Sequence, residues 1–462
     1  MKKQFYILFL SAGLSVFSSC SDVLDVEPTT SIEFEGAITD ARSADRALQG
    51  VYSAFQVEDY YGLSYLYYQG LYADNITFVG TFTTHLEVAD RRINPTNLQI
   101  ANTWAAIYSA IGRANVVIQA VEGLETIDGD EKNRIIGEAK FLRALAYFDL
   151  VKVFGGVPIV TTPTLVASEI NYGERKSVDE VYSQIVGDLQ DAETRLTGFG
   201  DVNYPFGASE YAASALLARV YLQRGMNAEA RSKANDVITN GPYELAPNYA
   251  DIFTGTGMSA PTNESIFELA FNRDDPNALA TSSNPSTPGQ KFYVSTNLYN
   301  VFEASGAQGD ERFAASVQMQ GTRRRIVKYS DVVQSADNVP VIRLAEMYLI
   351  RAEANARLGN ANLPASLQVI SDINAIRERA GLNRIVVGTM TNAQALAEIL
   401  QQRRLEFAFE GLRFMDLKRY NATCQAPLNF CAPDNNFRNL WPIPYQQFVT
   451  NPTLGMQNTG YN

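Results

Sequence analysis

Tyr60, Tyr61, Tyr65, Tyr67, Tyr68 and Tyr72 are six tyrosines within thirteen residues, and Phe78, Phe82 and His85 follow. Rings at this density can stack on the apolar C–H faces of a sugar, while amides, carboxylates and guanidinium groups bond its hydroxyl rim. Asp74, Asn75, Arg91 and Arg92 are spaced to supply that rim. The first set of candidate ligand contacts is therefore Tyr65, Tyr67, Tyr68, Asp74, Asn75, Phe78 and Phe82. A platform of this kind predicts that alanine at Tyr65, Tyr67 and Tyr68 together weakens ligand retention with little change in melting temperature. The competing reading is packing, because tyrosine serves cores as well as surfaces. A second candidate set lies in Phe271-Asn272-Arg273-Asp274-Asp275 with Phe292, Tyr293 and Tyr299, where Asn272, Arg273 and Tyr293 are the expected contacts.

Other residues fit chemistry less well. Glu406 and Glu410 stand four apart on one helical face. A glycosidase needs two carboxylates facing each other across a cleft, and arginines beside these two would keep both ionised. Structural ion pairing is the expected role. Asp128, Asp130 and Glu131 lack the twelve-residue spacing of a calcium loop and read as a solvated helix start. Arg323-Arg324-Arg325 reads as a salt-bridged edge, and His85 as a hydrogen-bonded loop residue. Trp104 sits at a helix-packing position beside Tyr108 and Ile111 and reads as core. One histidine and three cysteines leave no material for a zinc site, a histidine triad or an iron–sulfur centre, and no cofactor is expected.

The chain has 462 residues, 46% of them hydrophobic, and a net charge of −12. The acidic excess argues against nucleic-acid binding, which needs a basic face to displace counterions. Lys2 and Lys3 precede an uncharged, mainly apolar run of 13 residues from Phe5 to Phe17. That run is short for a membrane span and suits a signal-peptide core. It leads into Val16-Phe17-Ser18-Ser19-Cys20, which resembles a lipobox, with Phe17 where leucine is usual. Cys20 is then the lipidated first residue after cleavage; simple secretion with Cys20 inside the leader is the alternative. Ser21 to Ser31 reads as a polar tether. Export implies an oxidising compartment, and Cys424 and Cys431, seven apart in a proline-containing loop, are expected to form a disulfide.

The elements that must hold these groups are mostly helical. Apolar stripes at helical spacing predict helices over 40–56, 97–121, 130–154, 177–196, 209–224, 227–239, 341–358, 364–380 and 391–419. The pairs about Gly225 and Gly359 carry small residues at crossing positions, including Ala215, Ala218, Ala230 and Ala234, and are spaced like tetratricopeptide units. Residues 58–94 read as Tyr-rich loop. Residues 272–325 read as irregular structure with short strands, and 424–462 as an irregular tail that packs on the body. On the Arg403 to Arg419 helix, Arg403–Glu406, Glu410–Arg413 and Arg413–Asp416 are expected i,i+3 pairs.

Several blocks carry a family resemblance: EAKFLRALAYFDLVKVFGGVPIV (138–160), LLARVYLQRG, NGPYEL, ESIFE (264–268), VIRLAEMYLIRAEANARL (341–358), NAIRERAG, RRLEFAFEGLRFMDLKR (403–419), LWPIP and NPTLGMQNTGY. In this order, behind a lipobox, they resemble the SusD/RagB family of nutrient-uptake lipoproteins. The resemblance implies an all-α fold of about four tetratricopeptide-like helix pairs with a large irregular, loop-rich half. It implies a signal peptide over 1–19, a lipidated cysteine and tether over 20–34, a helical-repeat region over 35–260 and a C-terminal region over 261–462 in one interlocked body. It further implies an outer-membrane, surface-exposed lipoprotein. Such a protein captures an oligosaccharide, or a peptide in RagB-like members, and closes it over a SusC-like TonB-dependent transporter without cutting it. A surface glycoside hydrolase and a ligand-free helical scaffold are the remaining alternatives.

Overall fold

The computed structural model describes residues 37–164, 173–200, 203–289, 291–421 and 436–461. Cys20, Cys424, Cys431 and the leader and tether lie outside the described residues.

The N-terminal part is built from helices whose starts are set by side-chain caps. Asp40 caps α1 (Ala41–Gln56) through the Ser43 N–H. The Tyr-rich segment then forms α2 (Ser64–Tyr72), β1 (Ile76–Val79) and α3 (Thr83–Ala89), where a loop was expected. Asn97 caps α4 (Leu98–Gly123), and α5 (Gly129–Phe154) stops at Gly155, whose φ of 75° suits a residue without Cβ. A Ser177–Glu180 capping box opens α6 (Val178–Arg195). Helices α7 (Glu210–Gln223) and α8 (Asn227–Asn240) turn about Gly225, with Ala215, Ala218, Ala230 and Ala234 fully buried as the small-residue spacing implies. These helices pack in succession, α1 on α4, α4 on α5, α5 on α6, α6 on α7 and α7 on α8.

Residues 241–338 are then laid over the helices as short elements: β2 (Ser265–Leu269), α9 (Leu279–Ser283), β3 (Lys291–Val294), α10 (Thr296–Gly306), α11 (Arg312–Ser316), β4 (Val317–Gln320) and β5 (Arg323–Ile326). The expected helix at 341–358 begins as β6 (Val339–Arg343), antiparallel to β2, and becomes α12 (Leu344–Leu358). Helix α12 resumes the stack on α8 and is followed by α13 (Leu367–Arg379) and α14 (Asn392–Glu406), which both pack on it. The expected single helix to Arg419 is broken: the chain turns at Phe409 and Gly411, both at positive φ, before α15 (Arg413–Arg419). The architecture is thus all-α repeats with three two-stranded sheets and an irregular cover.

The tail packs on the body as expected. Trp441 is fully buried against Phe154 and Tyr72, and its backbone N–H donates to the Val153 carbonyl. A last short helix, α16 (Tyr445–Thr450), follows it. Trp104 is core, packed edge-on to Phe154.

Charge is buried along with the apolar core. The break after α14 separates Glu410 from Arg413, and the charges of all three expected i,i+3 pairs take more distant partners instead. Arg403 bonds Asp416 at 2.9 Å, Arg413 bonds Asp74 at 2.8 Å, and Glu410 takes Arg343 at 2.9 Å and Lys328 at 2.8 Å. Glu406 takes Arg312, Arg343 and Arg379.

Candidate ligand-binding site

The decisive local event is the pairing of β1 with β3. It sets Phe78 opposite Phe292 and Thr77 opposite Tyr293, so the two candidate stretches, far apart in sequence, share one sheet. Along β1, Ile76 and Phe78 point inward while Thr77 and Val79 are exposed. Beneath the strand, Phe78, His85 and Phe292 form a ring cluster with centroids 4.9–5.3 Å apart. Phe82, 55% exposed, extends that cluster to the surface, its ring 5.9 Å from His85. Burial lowers the His85 pKa, and its Nδ1 shares a hydrogen bond with the Tyr68 hydroxyl at 2.6 Å.

Next to this sheet lies a cavity of about 540 Å³. Leu71, Phe78 and Leu86 supply its apolar wall, and Thr77, Thr296 and Asn300 supply hydroxyl and amide groups. Its size falls in the range of small-molecule pockets, roughly 300–1,000 Å³. The polar wall is the start of α10. Ser295 caps that helix through the Leu298 N–H at 3.1 Å and donates its hydroxyl to the Asp74 carbonyl at 2.6 Å, fixing Thr296 and Asn300 beside β1. The sequence reading missed these residues. The Ser295 cap followed by Leu298, Phe302 and Ser305 is the helical signal that points to them.

The structure redistributes the expected contacts. Tyr65, Tyr67 and Tyr68 are in the core, because all nine residues of α2 are buried and the helix has no solvent face. Their hydroxyls are engaged inside. Tyr60, Tyr61 and Tyr65 donate to the buried Asp149 at 2.7, 2.9 and 2.8 Å, and Tyr67 donates to the Leu279 carbonyl at 3.1 Å. Asp149 also pairs with Lys152 at 2.6 Å, so this tyrosine cluster solvates a buried carboxylate. Asp74 and Asn75 are framework: Asp74 binds Arg404 at 3.1 Å and Arg413 at 2.8 Å, and Asn75 accepts from Arg404 at 3.0 Å. Asp74 nonetheless lines the cavity, as do Phe78 and its strand neighbour Thr77. Tyr293 is buried beneath the Arg323 guanidinium, which sits 5.5 Å above its ring. Asn272 and Arg273 are exposed on a turn closed by the Asn272 carboxamide, which accepts from the Asp274 and Asp275 N–H groups. Asn272 borders a different cavity, of about 370 Å³, with Tyr52, Phe206 and Glu268. The expected salt-bridged edge at Arg323-Arg324-Arg325 is different too: Arg323 and Arg324 lie over Tyr293 and Tyr299, and among the described residues neither has a carboxylate within ion-pair distance.

Two family descriptions match adjoining stretches of the chain. Residues 24–222 fit a family described as starch-binding and associating with the outer membrane, and residues 223–461 fit the SusD family. The chain belongs to the SusD family. A SusD-like protein of Formosa agariphila is 28% identical over 99% of this chain and 98% of its own length. The starch-binding protein SusD of Bacteroides thetaiotaomicron is 25% identical over 76% of each chain. Among solved structures, a laminarin-binding SusD-like protein superposes with a TM-score of 0.75 at 25% identity, covering 92% of this chain and 100% of that one. A SusD superfamily protein from Bacteroides fragilis shares the fold with a TM-score of 0.78 at 23% identity, over 91% of this chain and 100% of its own. The family is one of carbohydrate-binding proteins associated with the outer membrane.

Proposed function

We propose that this SusD-family chain is a surface lipoprotein, anchored through Cys20, that captures a glycan and passes it uncut to a SusC-like TonB-dependent transporter. The observation that carries this reading is the β1–β3 pairing. It brings the walls of a cavity of about 540 Å³, apolar and hydroxyl–amide, together from segments far apart in sequence, and Phe82 stands exposed on the ring cluster beneath the strand. Phe82 offers a stacking face, and Thr77, Thr296 and Asn300 offer hydroxyl partners. Of the cavity's two carboxylates, Asp74 is held by two arginines, so only Asp90 is left and no opposed acid–base pair stands there. Stacking plus hydroxyl bonding gives affinities of roughly micromolar to millimolar, about −8 to −4 kcal/mol, weak enough for release.

Affinity electrophoresis against starch, laminarin and other glycans, run beside peptide calorimetry, tests the reading. Phe82→Ala is expected to weaken glycan retention about tenfold, the equivalent of one stacked ring, with an unchanged melting temperature. Unaltered retention by this variant, or a sugar product after incubation, overturns it. Peptide cargo is the second reading, favoured by one observation: both tryptophans, Trp104 and Trp441, are buried and leave the surface platform to phenylalanine and tyrosine.

A further inference from the structure

Among the described residues, Arg323 and Arg324 of β5 have no carboxylate within ion-pair distance, in a chain where bases are scarce. There are 38 Lys and Arg against 50 Asp and Glu, and Arg312, Arg343, Arg379, Arg403, Arg413 and Arg419 are all committed to buried carboxylates. Arg323 and Arg324 are not. They follow the Gly321-Thr322 turn of the β4–β5 hairpin, and each lays its guanidinium on a tyrosine, Arg323 at 5.5 Å from the Tyr293 centroid and Arg324 at 5.3 Å from the Tyr299 centroid.

Both tyrosines belong to the cavity's frame. Tyr293 is the cross-strand partner of Thr77, which lines the cavity, and Arg324 donates to the hydroxyl of Thr296, another lining residue, at 2.9 Å. A guanidinium held over a ring still has N–H groups for other acceptors; of those on Arg324, the structure shows one donating to Thr296. Those groups form the fork that matches a carboxylate or sulfate oxygen pair. The rings also hold the two side chains in place before any ligand arrives, so little rotamer entropy is lost on binding.

Of the other bases at the cavity, Arg404 and Arg413 are buried on Asp74, and Arg91 is buried on the Tyr72 and Ala73 carbonyls. Arg323 is exposed and Arg324 half-buried. The net charge of −12 opposes indiscriminate binding of polyanions.

We propose that the glycan taken at this site is acidic, with a uronate carboxylate or a sulfate ester held by Arg323 and Arg324. This inference rests on the glycan-capture reading and names its substrate class. The test is retention of the full processed chain on native gels containing alginate for carboxylate, carrageenan for sulfate ester, or laminarin and starch as neutral polymers. Calorimetry at low and high salt accompanies it. The expected result is retention by one acidic polymer at least about tenfold stronger than by either neutral one, falling as salt rises. The acidic polymer that is retained identifies the anion. The double variant Arg323→Gln/Arg324→Gln should lose that retention while its melting temperature stays unchanged. The double lysine variant should restore only part of it, since lysine keeps the charge without the fork. Neutral polymers bound as well as acidic ones, or acidic retention indifferent to the glutamine pair, overturns the inference and leaves glycan capture standing. Failure of every polymer, acidic and neutral, overturns glycan capture itself.

Discussion

Glu406 is the residue at which the structural and catalytic readings of the 403–419 block make opposite predictions. Its carboxylate belongs to a closed cage. Arg343 binds Glu264 at 2.5 Å, Glu406 at 3.0 Å and Glu410 at 2.9 Å; Arg312 binds Asp310 at 2.7 Å and Glu406 at 3.3 Å; Arg379 binds Glu264 at 2.6 Å and also reaches Glu406; Lys328 binds Glu410 at 2.8 Å. Four cations thus face four carboxylates, and every side chain involved is at most 4% exposed. Burial alone would raise the Glu406 pKa, but Arg379, Arg343 and Arg312 outweigh it and hold it down to about 2 against an ordinary 4.5. Glu406→Gln keeps the shape and leaves one buried positive charge uncompensated, which costs about 3–5 kcal/mol. Linkage gives a similar figure: a depression of this size corresponds to about 3 kcal/mol. That stability is present above pH 4.5 and is lost as pH falls through about 2. Urea unfolding of the variant at pH 7 should show the full loss, and the difference from the parent should shrink as the pH is lowered through that window. A loss below about 1 kcal/mol at pH 7 would refute the argument. A variant of full stability that had lost a glycan-cleaving activity would put Glu406 in a catalytic role instead.

Two further predictions follow from buried groups. Tyr67→Ala removes a fully buried ring and should lower stability by about 3–5 kcal/mol, whereas Tyr65→Phe withdraws one of three phenols from Asp149 and should cost about 1–3 kcal/mol. Melting temperatures measure both, and a surface role for this cluster would show instead as lost glycan retention at an unchanged melting point. Burial pushes the Glu268 carboxyl up to about 7, so the folded chain keeps a proton that the unfolded chain releases near 4.5. Stability should therefore fall as pH rises from about 4.5 through 7, by about 3 kcal/mol from this group. Asp337, raised to about 6, adds to the same trend, so Glu268→Gln should flatten part of the stability–pH curve between pH 5 and 7.5; an identical curve would refute the assignment.

The long helices were legible because their signals are local. Asn97 and Ser177 are caps, Gly155 is a stop, and the small residues about Gly225 mark a close helix crossing; all four do in the structure what their types suggest. Helix α2 was not legible, because a helix buried on all sides has no alternation between apolar and polar faces to read. Its tyrosines looked like a surface platform, but their hydroxyls meet buried partners distant in sequence, Tyr65 on Asp149, Tyr67 on the Leu279 carbonyl and Tyr72 on the Arg438 carbonyl. The charged block at 403–419 failed in the same manner. Its spacing suggested neighbours on one helix, but the positive φ of Phe409 ends that helix, and each charge finds a distant partner. At the site, the candidate stretches were visible in composition, but the β1–β3 register that joins them is a non-local pairing with no marker in either strand alone. Asn272 and Arg273 shared the composition and went to another cavity.

Asp74 shows why the frame and the site are one construction. It lies between α2 and β1, receives Arg404 from the end of α14 and Arg413 from the start of α15, and offers its carbonyl to Ser295 at the cap of α10. The cavity wall is therefore fixed by two buried arginines and a serine hydroxyl reaching it from three separate segments, and none of these bonds has to form when a ligand enters. A ligand meets a preformed polar wall and must order only itself and the exposed Phe82, since the exposed Arg323 and half-buried Arg324 already lie on tyrosine rings. Few contacts on a rigid frame favour modest affinity with fast release, because binding strength then depends on those rim groups and little binding energy is diverted into closing the protein around its cargo. Capture and hand-over thus fit the same geometry, with identity read at the arginine rim and holding strength set by a small number of exposed groups.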